Sequence, residues 1–182
     1  LRLYQRQGLE ATLPLLRGEF AFALFDRADD CLYLVRDRFG IKPQYWAMTP
    51  EGLVFGSELK VLFAHPAVER RFTSEGLFHQ LMQTMVPGTT AFAGVHQVQP
   101  GHVLKVQRRG DQLEVSESTY WDVDFPRLDQ RDSTLTEVDH IANVRAALLE
   151  AVEMRMVADV PVGCYLSGGI DSCSILGLAS AV

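Results

Sequence analysis

Six consecutive residues, Ser167-Gly168-Gly169-Ile170-Asp171-Ser172, bring two hydroxyls, two glycines and a carboxylate together between one short apolar run and another apolar segment. If they join a buried strand to a helix, their backbone amides point out of the positive end of that helix and make an anion site. The paired glycines remove the β-carbons that would hold a phosphate away from those amides, and the Ser167 and Ser172 hydroxyls add donors. Asp171 repels a bound phosphate unless a cation lies between them, so its presence predicts a Mg²⁺-phosphate complex. No Gly-Lys-Ser/Thr ending follows, which excludes the Walker pattern. The bland alternative is a strand-to-helix turn with Ser172 as its cap. A Gly-Gly pair alone favours that alternative; the whole hexapeptide after an apolar run favours the anion site.

Other reactive side chains carry less. Cys31 follows the Asp29-Asp30 turn and Cys164 lies inside the apolar run 162–166, so both are predicted to be packing residues. Cys173 sits at a predicted helix start with no histidine near it in sequence, and a small core residue is the better reading. His65, His79, His96, His102 and His140 show no ligand spacing and are expected at surface or satisfied positions. Arg36-Asp37-Arg38 invites a phosphate-site reading, but its strand-to-turn context favours a structural ion-pair turn. Glu58 and Lys60 are expected to hold structure and are assigned no chemistry.

The elements that position these residues follow from periodicity. Leu9, Leu13 and Leu16 fall at helical spacing within residues 1–16, and Gly18 is a plausible stop. From Glu19 to Phe55, runs rich in Phe, Leu, Val and Tyr alternate with turn residues and read as antiparallel hairpin strands. A short helix capped by Ser57 and bounded by Pro66 follows. Another starts at Ser74 with Leu77, Phe78, Leu81, Met82 and Met85 on one face and Pro87-Gly88 as terminator. Residues 101–123 read as two strands around Arg109-Gly110-Asp111, and the polar stretch Phe125 to Ser133 as a linker. Thr134 and Glu137 form a capping-box pattern, after which Ile141, Val144, Leu148, Val152 and Met156 trace one face of a helix ending near Asp159. Val162 to Leu166 is apolar on both faces, as in a strand buried within a parallel sheet.

Composition narrows the class. With 182 residues, 47% hydrophobic and 22% charged, the chain has the balance of a soluble globular protein of one large or two small domains. A net charge of −6 and only the short basic pairs Arg70-Arg71 and Arg108-Arg109 argue against a nucleic-acid partner. Three irregularly spaced cysteines suit a reducing, cytoplasmic compartment, and no apolar run approaches the roughly 20 residues that span a bilayer. The start at Leu1, without an initiator Met or a signal-peptide pattern, is expected of a piece of something longer.

The Ser-Gly-Gly-x-Asp-Ser loop resembles the PP-loop of the ATP pyrophosphatases, which cleave ATP between its α- and β-phosphates and adenylate a substrate. Asp159-Val160-Pro161-Val162-Gly163 narrows the likeness to the asparagine synthetase branch. Upstream, Gly18-Glu19-Phe20-Ala21-Phe22-Ala23-Leu24-Phe25-Asp26 and Arg36-Asp37-Arg38-Phe39-Gly40-Ile41-Lys42-Pro43 resemble the second half of a class II glutamine amidotransferase domain. Phe55-Gly56-Ser57-Glu58-Leu59-Lys60 and Pro100-Gly101-His102 continue it in family order. The resemblance implies an α+β fold over residues 1–124, part of an N-terminal-nucleophile-type antiparallel sandwich. A linker over 125–133 and the start of a parallel α/β PP-loop domain over 134–182 complete the expected order.

It further implies ATP and Mg²⁺ as cofactors, glutamine and aspartate as substrates, and allows a homodimer. Leu166 is expected against the adenine nucleotide, with Ser167, Gly168, Gly169, Asp171 and Ser172 around the phosphates and Asp171 on Mg²⁺. In that family an N-terminal cysteine attacks the glutamine amide with its own amine as base. Leu1 cannot do this, and the family's upstream arginine, Asn-Gly-Glu segment and aspartate have no match, so no catalytic residue is assigned. The piece alone is expected to lack glutaminase activity, expose apolar surface and dissolve poorly. A β-lactam synthetase-like ligase and a non-catalytic amidotransferase-like module are the alternatives.

Overall fold

The computed structural model describes residues 1–84, 86–130 and 134–182. The chain divides into two compact units, Leu1–Asp124 and Phe125–Val182.

The first unit opens with helix α1 (Arg2–Thr12) and a 3-10 turn, Leu13–Leu15. The predicted helix is thus in two pieces, because Gly8 adopts φ 78 and ψ 176 inside α1 and Pro14, lacking an amide donor, enters at the tighter turn. Leu9, Leu13 and Leu16 still share one face, packed on Val35 and Val103. Among the described residues seven strands follow: β1 (Ala21–Asp26), β2 (Cys31–Arg36), β3 (Tyr45–Thr49), β4 (Gly52–Gly56), β5 (Val95–Gln97), β6 (His102–Arg109) and β7 (Gln112–Thr119). They form one antiparallel sheet ordered β1-β2-β6-β7 and another ordered β4-β3-β5.

Alternation along the strands sets the layers. Leu104 and Val106 of β6 join Leu34, Trp46 and Leu53 between the two sheets, whereas Val103, one residue before Leu104, packs on the opposite side with Leu9 of α1 and Leu13. On the second sheet Trp46 faces that inter-sheet core, and Ala47 packs with Leu62 of helix α2 (Leu59–Leu62). The unit is therefore α+β, with two antiparallel sheets face to face and helices outside them, as expected. The β6-β7 hairpin closes on Gly110 and Asp111, where Gly110 takes φ 62.

Boundaries differ in two helices. Ser57 does not cap α2: Glu58, with extended φ −134 and ψ 142, is the last residue outside the helix, which leaves the Ser57 hydroxyl one position too early. Helix α3 (Ser74–Leu81) is capped by Thr73, whose hydroxyl oxygen accepts from the Gly76 amide at 3.0 Å. Its apolar face, Leu77, Phe78, Leu81 and Met82, is exposed rather than core, and Met85 lies outside the described residues. The helix ends before Pro87-Gly88, at the left-handed Gln83.

Tyr4 ties α1 to β1 by donating its hydroxyl to the Asp26 carboxylate. That bond raises the Tyr4 pKa to about 12 and, with the Ala28 amide, holds Asp26 below its ordinary value. The raised phenol contributes stability fully below its unfolded pKa of about 10 and loses it as pH rises to the folded value. The depressed carboxylate contributes above about pH 4 and loses it as pH falls. The phenolate absorbance titration of the wild type minus Tyr4→Phe should therefore show a transition displaced well above pH 10; an ordinary tyrosine midpoint would contradict the tie.

Among its described residues the second unit holds a 3-10 turn, Leu128–Gln130, and two helices, α4 (Glu137–Met156) and α5 (Ile170–Ala179). The linker predicted over 125–133 falls partly here, and residues 131–133 lie outside the described residues. The capping box is shifted by two positions from Thr134 and Glu137. Asp139 donates its amide to Thr136 Oγ1 at 3.3 Å and accepts the Thr136 amide at 2.9 Å. Thr136→Ala should lower the stability of this first turn by about 1 kcal/mol, seen as faster amide exchange at Val138 and Asp139; unchanged exchange would contradict it.

Val162 to Leu166 is irregular and exposed, since no described strand pairs with it and a strand exists only through a hydrogen-bonded neighbour. The expected parallel sheet is not among the described elements. Cys164 and Cys173, predicted to pack, are exposed for the same lack of a covering layer, whereas Cys31 is buried as expected. Exposed apolar side chains are frequent in this unit, among them Ile141, Val144 and Ile170. Among the described residues no helix is long and apolar enough to cross a membrane.

Candidate functional site

The loop Ser167 to Ser172 ends at the N-terminus of α5, with Gly169 (φ −77, ψ 160) as the last residue outside the helix. The first helical bond runs from the Cys173 amide to the Gly169 carbonyl at 3.0 Å. Amides of Ile170, Asp171 and Ser172 are consequently left without intrahelical acceptors. Gly168 takes φ 82, a left-handed conformation that strains any residue with a β-carbon, so its identity is required by the backbone. Gly169 has no such need. Its φ suits any residue, and an added β-carbon would meet only Ser167 Oγ, at 3.6 Å.

The space beside Gly169 is therefore open apart from Ser167 Oγ, which leaves room for an anion to approach these amides. Ser167 Oγ and Ser172 Oγ lie 3.0 Å apart, and Ser172 donates to the Gly169 carbonyl at 3.0 Å, so Ser167 donates to Ser172. Serving an anion, as the sequence predicts, requires both hydroxyls to rotate away from these partners. Leu166 precedes the loop half-exposed, and Asp171 is exposed on the first turn. No group of three metal-ligating side chains occurs among the described residues. A Mg²⁺ held by Asp171 would thus complete its shell with phosphate oxygens and water.

The second constellation is the Arg36-Asp37-Arg38 turn, and here the predicted ion pair is replaced by something else. Arg36, 8% exposed, donates to three carbonyls: Nε to Lys42 at 2.9 Å, Nη1 to Val98 at 2.8 Å and Nη2 to Gly40 at 2.6 Å. Asp37, 1% exposed, accepts from four amides: Oδ1 from Phe39 and Ile41, Oδ2 from Lys42 and Phe20. Each side chain satisfies backbone groups that no sheet partner reaches. Burial pushes the Arg36 pKa down, opposed by the neighbouring Asp37 charge. Tyr120 completes the turn by donating its hydroxyl to the Arg36 carbonyl at 2.8 Å, and burial pushes its pKa up to about 12. Nothing in the local sequence signals Val98 or Tyr120, which lie 62 and 84 positions from Arg36.

Two of the histidines hold structural contacts. His96 stacks on Trp46 at 4.6 Å, and His102 is held between the Pro100 carbonyl at 2.7 Å and Thr119 at 2.8 Å. Glu58 and Lys60 form an exposed ion pair with each other.

Residues 1–121 match a family model described as a glutamine amidotransferase domain, and residues 143–182 match one described as asparagine synthase. An amidase of Gibberella zeae is 40% identical over 99% of this chain and 26% of its own length. The glutamine-hydrolysing asparagine synthetase 3 of Bacillus subtilis is 36% identical over 91% of this chain and 26% of its own. The human glutamine-hydrolysing asparagine synthetase is 32% identical over 94% and 29%. The chain spans about a quarter of the length of these relatives.

Proposed function

The chain belongs to the glutamine amidotransferase domain family, with the beginning of an asparagine synthase domain joined to it, and on that premise we propose that it is part of a glutamine-dependent asparagine synthetase. Residues 1–124 are the later part of the amidotransferase domain, 125–133 the linker, and 134–182 the start of the ATP-using, parallel α/β domain. Ammonia comes from glutamine hydrolysis in the first domain. In the second, an aspartate carboxylate oxygen attacks the α-phosphorus of ATP and pyrophosphate leaves. Ammonia then attacks the acyl carbon, AMP leaves with the carboxylate oxygen, and a proton is lost as the amide forms.

The observation that carries this reading is the open cradle at Gly169 beside a Gly168 that the backbone itself requires. The amides of α5 and the hydroxyls of Ser167 and Ser172 would hold the phosphates, and Leu166 would lie against the nucleotide. Mg²⁺ on Asp171 would offset the charge gathered there. The three free cysteines support a reducing compartment, the cytoplasm. The test is exchange of labelled pyrophosphate into ATP by the full-length protein, with aspartate or another carboxylate present. Exchange dependent on aspartate supports the assignment, and no exchange with any carboxylate overturns it.

A second reading has a specific observation behind it: amidases of Gibberella zeae and Penicillium rubens are 40% and 38% identical to this chain. On that reading the parent acts on a different amide or carboxylate, and exchange would depend on a carboxylate other than aspartate.

A further inference from the structure

Tyr120 and Trp121 cross the Asp37 turn as two neighbours held by unlike forces. Both donate their amides to the Gly101 carbonyl, at 2.9 and 3.2 Å, and Tyr120 is anchored further by its hydroxyl bond to Arg36 and by the core around Val35 and Val103. The Trp121 side chain instead lies in an outer stack, its ring 5.1 Å from Phe39 and 5.6 Å from the Arg38 guanidinium carbon. Phe39 is 68% exposed, and from Asp122 to Pro126 the chain is exposed and irregular. Arg38 reaches the Pro14 carbonyl through Nη2 at 3.0 Å, but its Nε is buried without an acceptor.

We propose that the Trp121 side chain is a strap that opens and closes over the Asp37 turn while Tyr120 stays latched. Closing gains the aromatic and cation-π contacts and leaves Arg38 Nε sealed from any acceptor. Opening gives up the stack and lets water reach that nitrogen. A partly exposed stack and a buried unpaired donor contribute at the same order with opposite signs, so both states are populated.

Fluorine NMR of the full-length protein carrying fluorotryptophan tests this without reference to any reaction, the Trp121 signal being identified by Trp121→Phe. A Trp121 resonance split or broadened by exchange is expected, with Trp46 sharp. Phe39→Ala, at an exposed position, should raise the open-to-closed ratio about threefold, and Arg38→Lys, which keeps the cation but removes Nε, should lower it. Either a single sharp Trp121 signal that neither variant moves, or shifts that always accompany equal shifts at Trp46, would overturn the strap.

Discussion

Gly169→Val in the full-length protein should reduce pyrophosphate exchange into ATP by at least about a hundredfold, roughly 3 kcal/mol of transition-state stabilisation, while leaving glutamine hydrolysis close to wild type. The backbone at 169 has φ −77 and ψ 160, which valine adopts freely, and the nearest atom to a new β-carbon is Ser167 Oγ at 3.6 Å. Valine is a poorer helix-start residue than glycine, a difference of about 1 kcal/mol at most. The variant should therefore fold, and its defect should come from the branched side chain standing where phosphate approaches the amides. Gly168→Val would be less informative, since φ 82 there would distort the loop whatever the loop binds. Asp171→Asn tests the charge in the same place: it keeps the shape, removes the anion that on the proposed reading would support Mg²⁺, and should abolish exchange too. Wild-type exchange in either variant would remove the phosphates from this loop.

Asp37→Ala should unfold or nearly unfold the first unit. Its carboxylate accepts from the amides of Phe20, Phe39, Ile41 and Lys42 and is 1% exposed, so truncation strands four donors at once. At about 1–3 kcal/mol for each donor that water cannot reach, the loss is on the order of 4 kcal/mol or more, much of the 5–15 kcal/mol that holds a typical domain. Asp37→Asn keeps the volume and one acceptor oxygen and should fall between Ala and wild type. Denaturant unfolding of the three proteins measures this, and an Ala variant within about 1 kcal/mol of wild type would show that the carboxylate does not hold the turn.

Runs of apolar and aromatic residues broken by turn residues made β1 to β4 legible, as did the turn at Arg109-Gly110-Asp111 for β6 and β7, whereas the three-residue β5 (Val95–Gln97) is too short to carry such a pattern and was not foreseen. What local pattern could not show is how Arg36 and Asp37 are used. Adjacent opposite charges suggest an ion pair, yet their partners are backbone groups, one of them on Val98, supplied only by the folded sandwich. Helix starts failed by one or two positions for a related reason: Ser57 and Thr134 are good capping residue types, but Glu58 and Thr136 occupy the cap positions. The loop Ser167 to Ser172 was legible as a composition, and α5 begins where the glycines suggested. The unlike roles of its two glycines were not, because φ is a property of the folded backbone. Val162 to Leu166 has the apolar content of a buried strand without a described neighbour to pair with.

The proposed activity is tested most directly by the nucleotide product formed when the full-length protein consumes glutamine, aspartate and ATP labelled at the α-phosphate. Attack at the α-phosphorus predicts labelled AMP in equal amount to asparagine, with pyrophosphate as the other product; labelled ADP with free phosphate would place the cleavage at the γ-phosphate and contradict a PP-loop role for Ser167 to Ser172.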